Sequence, residues 1–305
     1  LAQYILRRLF LSIFVVVGVT VVVFMVIRLS GDPTALMISP DASAEDVAEL
    51  RARMGFDRPI LVQFVDFMTG AIRGDFGNSL RYREPAFGLV IERLPATVQL
   101  ATASLLVAIA VALPAGIVSA VKRNTVWDRA AMFLALFGQS MPVFWFGILL
   151  ILIVSVQLKL LPSSGSGGFQ HLILPALTLG LYSTARLTRL VRSEMLETIS
   201  QDFVRTARAK GLREQAVLYR HALRNALIPV VTVIGIEAGG LLGGAVITET
   251  VFAWPGIGQL AVRSIFNRDY PLIQAVVFTI AIMFVVINLV VDVLYAMLDP
   301  RIKLS

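Results

Sequence analysis

Two carboxylates stand inside apolar runs of membrane-spanning length: Glu237 within Ala226–Thr248 and Asp292 within Tyr270–Leu298. An ionised acid in hydrocarbon is costly, so each needs a proton, a paired cation or a water-filled pathway. On a helical wheel Glu237 falls near Gly240 and Gly244. There it can line a pathway and attract a cationic group of a solute, sit protonated, or pair with a polar residue of a neighbouring helix. Asp292 lies about two turns from the end of its run, near Asn288, where an ion pair with a cytoplasmic arginine is expected ahead of a transport role. Gln139 and Ser140 precede Pro142. A proline frees a backbone carbonyl and bends a helix, so this pair either lines a cavity beside the bend or satisfies the kink itself. None of this is covalent chemistry. No catalytic set is present: no histidine and acid grouping has metal-ligand spacing, no Ser-His-acid set is plausible, and cysteine is absent. No G-x-x-x-x-G-K-[ST] phosphate loop occurs either, so the chain does not energise itself with nucleotide.

The second chemical feature is a basic, helix-patterned segment from Arg186 to Pro229, flanked by apolar runs. Arg186, Arg189 and Arg192 recur at i, i+3 and i+6, which predicts one basic face sliding along the membrane surface. Ser200 or Asp202 can cap a short helix from Phe203 to Lys210, which Gly211 ends in left-handed geometry. A further helix over roughly 213–225 leads back towards the membrane. The short helix would sit at the tip of a helical hairpin, where Phe203, Ala207 and Leu212 form an apolar knob ringed by Arg205, Arg208 and Lys210. Such a knob suits a groove on a soluble protein; the alternative is a solvated hairpin lying on anionic headgroups.

These residues must be positioned by membrane helices. Of 305 residues, 57% are hydrophobic and only 15% charged, a ratio that predicts an all-α, polytopic membrane protein. The net charge of +7 comes from bases bordering apolar runs without interleaved aromatics, which excludes a nucleic-acid interface as the leading reading. The predicted spans begin with Leu9–Ile27, Leu94–Val121 and Ala130–Leu158, continue through the shorter Leu172–Ala185, and end with Ala226–Thr248 and Tyr270–Leu298. That makes six. The first lacks a small-x-small cleavage site and is read as an anchor rather than a signal peptide. Arg7, Arg8, Lys122, Arg123, Arg129, the bases of 186–224, Arg301 and Lys303 share one side, which puts both termini in the cytoplasm.

Residues 28–93 then form an external segment with helical signals of its own. Ser43 and Asp46 can cap a helix carrying Val47, Leu50 and Met54 and ending at Gly55; Pro59 starts a second, stopped by Gly70 or Gly74. Pro85 starts a third, expected to run along the interface before the second span turns inward. In the fifth span Gly235, Gly239 and Gly243 form one small-residue stripe and Gly240 and Gly244 another, each allowing a close helix approach within the chain or from a partner.

The basic segment resembles the cytoplasmic loop of ABC-importer permeases, whose motif is Glu-Ala-Ala, three residues, Gly, nine residues and Ile-x-Leu-Pro. Aligned on Gly211, Ala207 and Leu223 match, while Arg205, Thr206, His221 and Arg224 depart. The wording from Arg205 to Leu212 and from His221 to Pro229 is closer to the peptide/nickel branch, above all its B-type dipeptide and oligopeptide permeases. Similar words recur in order, including Gly31-Asp-Pro33, Gly74-Asp-Phe-Gly77, Ser140-Met-Pro-Val-Phe-Trp145 and Leu298-Asp-Pro-Arg301.

The resemblance implies a bacterial inner-membrane subunit of the ABC-importer permease type, with an anchor and external segment over 1–93 and a permease core over 94–305. It implies a second homologous permease, two ATPase subunits that bind ATP and Mg, an external substrate-binding protein, and no cofactor on this chain. The coupling segment would occupy about 193–225, with Asp202, Phe203, Arg205, Thr206, Ala207, Arg208, Lys210, Gly211 and Leu212 facing the ATPase. Gln139, Ser140 and Glu237 would line the pathway. Thr248, Glu249, Trp254 and Pro255 would form an external gate or binding-protein contact. In the resembling permeases a neutral amide often stands at the place of Glu237, so its carboxylate hints at cationic cargo. Dipeptides, oligopeptides, glutathione-like peptides, sugars and nickel are all cargo of such permeases. The rival class is an ion-gradient-driven secondary transporter with Glu237 as its cation site; an intramembrane enzyme lacks a catalytic set.

Overall fold

The computed structural model describes residues 2–29 and 57–298, and between them residues 45, 48, 49 and 52. The helix expected to be capped at Ser43 and the pairing expected of Asp292 lie outside what it describes. Among the described residues ten helices follow in order: α1 (Ala2–Leu29), α2 (Ile60–Arg73), α3 (Ala86–Val121), α4 (Val126–Ser140), α5 (Val143–Gln157), α6 (Phe169–Ile199), α7 (Asp202–Ala209), α8 (Glu214–Val251), α9 (Ile257–Phe266) and α10 (Tyr270–Leu298). Among the described residues there is no strand, only an isolated bridge between Asn78 and Pro85.

Among the described residues three helices are long and apolar enough to cross a membrane unaided: α3, α8 and the Tyr270–Val291 part of α10. α3 runs unbroken for 36 residues, about 54 Å at 1.5 Å per residue. The separate interfacial helix expected after Pro85 is therefore absent; Pro85 precedes the first turn of the span itself. The third predicted span differs more. It breaks at Met141-Pro142 into α4 and α5, bent by 107°, because Pro142 cannot donate into the preceding turn and Met141 is extended. Each half has only 15 residues, too few to cross alone. α6 has the length but carries Arg186, Arg189 and Arg192 in its second half.

The chain divides into two compact units, one of Ala2–Pro95 with Gly256–Val286, the other of Ala96–Pro255 with Ile287–Ser305. In the first, Ala71, Phe76, Val90, Ile257 and Leu272 form the core, and Phe24 stacks against Phe67 at 5.8 Å. Asp269 organises this unit. It is 1% exposed, caps α10 through the Leu272 amide, and accepts bonds from the Ser79 hydroxyl and the Leu80 and Arg81 amides. α2 ends at Gly74 rather than Gly70; Gly74 sits at φ +74, where a side chain is costly.

In the second unit α6 is the central element, with fourteen buried residues over its 31. It can approach α3 closely because Gly180 faces the Ser104 carbonyl at a distance that leaves no room for a Cβ. Along α8, Gly235 and Gly239 accommodate Val291 and Ile287 of α10, and Gly244 accommodates Leu179, so these approaches are made within the chain. Gly240 and Gly243 face open space.

Candidate coupling and pathway sites

The loop between α6 and α8 folds into the expected hairpin. α7 begins after Gln201, which has extended geometry and no side-chain cap; neither Ser200 nor Asp202 fills that position. Asp202 is instead the first helical residue and pairs with Arg205 at 2.8 Å in full solvent. The far end closes as a double hydrogen-bonded cap, with Gly211 N–H on the Arg208 carbonyl at 2.9 Å and Leu212 N–H on the Ala207 carbonyl at 3.4 Å. Gly211 takes φ +78, as its position requires. Arg208 grips Glu214 at the start of α8 with two bonds, 2.8 and 3.1 Å, and these hold the Glu214 carboxyl below its ordinary range.

Two apolar faces leave this helix. Val204 and Ala207 are buried against Met195, Val191, Val217 and Ala222, seating α7 on its own chain. Phe203 and Leu212 point out, 38% and 42% exposed. The knob therefore consists of Phe203 and Leu212; Ala207, expected to belong to it, lies on the opposite face. Arg205, Thr206, Arg208 and Lys210 flank it in solvent.

The three arginines of α6, expected to form one free basic face, are held by side-chain partners. Each turns to a side chain of another helix. Arg186 pairs with Glu237 of α8 at 2.7 Å, and Ser183 donates to the other carboxylate oxygen at 2.5 Å. Arg189 donates to Gln139 of α4. Arg192 forms a two-point pair with Asp128, also of α4, at 2.7 and 2.9 Å. Glu237 is thus buried and paired with neighbouring polar residues, one of the states open to it. A cavity of about 320 Å³ touches Tyr182, Ser183, Arg186, Glu237 and Gly240, and one of about 480 Å³ touches Gln139, Arg186 and Arg189. Glu237 and Gln139 therefore each line a cavity, and Arg186 borders both. Ser140 is different: it bonds back to the Leu136 carbonyl at 2.9 Å, satisfying the end of α4.

At the other end of α8 the chain turns sharply. Trp254 N–H bonds to the Glu249 carbonyl at 2.8 Å, and its indole N–H to the Ala96 carbonyl at 2.8 Å. Thr97 donates to the Glu249 carboxylate at 2.7 Å. Thr248, Glu249 and Trp254 are all buried and Pro255 is half-buried. The Trp254 and Glu249 side chains brace the turn from inside the chain.

Sequence reading missed the Asp128 centre. Its carboxylate is 4% exposed and takes bonds from Arg192, the Ser119 hydroxyl and the Asn124 amide, so it fastens α3, α4 and α6 together. An acid beside the start of an apolar run was the available signal, overlooked because Arg129 beside it reads as an ordinary boundary charge.

Comparison with known proteins places this geometry. Residues 112–304 match the family of binding-protein-dependent transport system inner membrane components, and residues 1–101 match the N-terminal region of such membrane components. The dipeptide transport system permease protein DppB of Escherichia coli K12 is 40% identical over 99% of this chain and 98% of its own length. DppB of Alkalihalophilus pseudofirmus is 41% identical over 98% and 99%. The glutathione transport system permease protein GsiC of Salmonella choleraesuis is 44% identical over 99% of each chain. Among solved structures, the MetNI methionine ABC transporter in inward-facing conformations superposes with a TM-score of 0.60 at 19% identity, over 69% of this chain and 96% of that one. An amino acid ABC transporter with histidines gives 0.56 at 14% identity, over 69% and 94%. These two speak to the fold.

Proposed function

The chain belongs to the family of binding-protein-dependent transport system inner membrane components, and on that footing we propose that it carries small peptides across the membrane as one permease of an ATP-driven importer. It is a transport subunit, not an ATPase; its family and its permease relatives assign hydrolysis to partner subunits. Dipeptide and glutathione permeases among its relatives support a small peptide as cargo. The observation that carries the mechanism is α7: a short helix with one apolar face anchored to its own chain and the other, Phe203 with Leu212, left in solvent. That is the form a handle takes when another protein must push or pull it.

In this reading the chain spans the membrane six times with both termini in the cytoplasm, α4 and α5 together making the third, broken crossing. A second, homologous permease supplies the other half of the pathway, two ATPases sit below, and a binding protein delivers cargo from outside. ATPase closure moves α7, and the move reaches α8 through the Arg208–Glu214 brace and reaches α6 through their shared core. The rigid unit fastened at Asp128 and Arg192 carries it to the cavities beside Arg186, Gln139 and Glu237. The gradient-driven alternative asked Glu237 to be an open cation site; its carboxylate is instead committed to Arg186 and Ser183.

Uptake of a radiolabelled dipeptide into vesicles tests this. We expect none with this chain alone under an ion gradient, and ATP-dependent uptake once the second permease, the ATPases and the binding protein are added. Gradient-driven uptake by the chain alone would overturn it.

A further inference from the structure

Arg268 occupies a backbone position that suits glycine. It follows α9 at φ +50, closing that helix through its own N–H on the Ile265 carbonyl and the Asp269 N–H on the Ser264 carbonyl. Glycine fits such a cap without strain, and an arginine there costs backbone energy. Arg83 is also left-handed, at φ +59. Both border one cavity of about 600 Å³, together with Arg81, which donates to Asn267 at 3.2 Å. Its lining includes no carboxylate, and among the described residues neither Arg83 nor Arg268 has an acid within ion-pair distance. The nearby Asp269 carboxylate is buried and spent on the Ser79 hydroxyl and the Leu80 and Arg81 amides, so three guanidinium groups around one cavity are left to attract an anion.

The neighbouring space says what else that anion carries. Arg268 also stands at the rim of a second cavity, about 460 Å³, lined by Val22 and Val26 of α1, Ile265 of α9, and Ile273 and Val277 of α10. Beside it Ile265 and Phe266 are 58% and 83% exposed, apolar surface suited to a bilayer edge rather than to water. One arginine thus joins an aliphatic slot to a cationic pocket. In the topology proposed above, this edge is on the outer face, where basic residues bring no topological advantage.

We propose that the slot between α1, α9 and α10 is a binding site for an anionic phospholipid, its acyl chain against Val22, Val26, Ile273 and Val277 and its phosphate on Arg268, with Arg83 within the same pocket. An acidic surface of an external protein could use the arginines, but it has no use for an aliphatic slot beside Arg268.

The test uses the full-length protein in nanodiscs holding phosphatidylglycerol and phosphatidylcholine in equal amounts, with retained lipid counted by native mass spectrometry after extraction. Phosphatidylglycerol should be retained about fivefold over phosphatidylcholine, the preference one basic residue gives at an anionic surface. Arg268→Gly removes the charge at a backbone geometry glycine favours, so it should lower the ratio at least about twofold, Arg81 and Arg83 keeping the remainder, without lowering the melting temperature in phosphatidylcholine. Arg268→Lys should keep the preference, and Val277→Trp should reduce retention of both lipids by filling the slot. Equal retention of the two lipids by the unmodified protein would overturn the proposal, and that measurement needs no variant to fold. So would a preference undiminished by Arg268→Gly. An unchanged lipid ratio with weaker capture of the external binding protein would assign Arg268 to a protein interface, and the lipid site would fall.

Discussion

Asp128 and Arg192 lie 64 positions apart, and their pairing binds three helices at one carboxylate. Removing one member of such a buried pair strands the other, at a cost of roughly 3–5 kcal/mol. Arg192→Met should therefore lower the melting temperature of the purified protein far more than Arg205→Met, whose guanidinium meets Asp202 in open solvent. At Glu237 the outcome should depend on the replacement. Glutamine can still accept from Arg186 through its carbonyl oxygen and donate its amide to the Ser183 hydroxyl, which can turn to accept, so Glu237→Gln should fold nearly as well as the unmodified chain. Glu237→Leu leaves both donors unsatisfied, about 1–3 kcal/mol, and should lose stability by thermal denaturation. The sequence showed that Glu237 needed a partner, because an intramembrane acid always does. It did not show which, since Arg186 read equally well as a surface base. Asp128 escaped notice for the same reason: a boundary charge and a buried clamp look alike until the helices are packed.

The short helix α7 was legible almost to the residue, because Gly211 and the alternation of apolar and basic positions are local signals. The orientation of its faces was not. Val204 and Ala207 turn inward because α6 and α8 meet behind them, a fact about tertiary packing alone. Gly211→Val should cost about 1–2 kcal/mol at this left-handed position. It should leave the protein in the membrane but separate ATP hydrolysis from uptake in the assembled importer; intact coupling in that variant would remove the turn from the mechanism. Val204→Asp should be harsher, detaching α7 from its seat, and limited proteolysis between α6 and α8 should then accelerate. The break between α4 and α5 was foreseen only as a bend. Pro142 signals a kink wherever it occurs, but the extended Met141 that makes the angle 107° depends on what surrounds it.

As a whole molecule, this chain is one moving part of a machine that draws its energy from partner subunits. The all-helical class and the membrane were plain from the hydrophobic runs; the division into two units, with 256–286 packing among the N-terminal residues, was not, because it depends on contacts between distant segments. The central claim is that a partner ATPase grips α7 at Phe203 and Leu212. The chain has no cysteine, so Phe203→Cys creates a single reactive thiol. Thiol cross-linking of that variant in the assembled, transport-competent importer should join this chain to an ATPase subunit, with a yield that changes when ATP is bound. A variant that transports normally yet never cross-links to an ATPase, with or without nucleotide, would contradict the account.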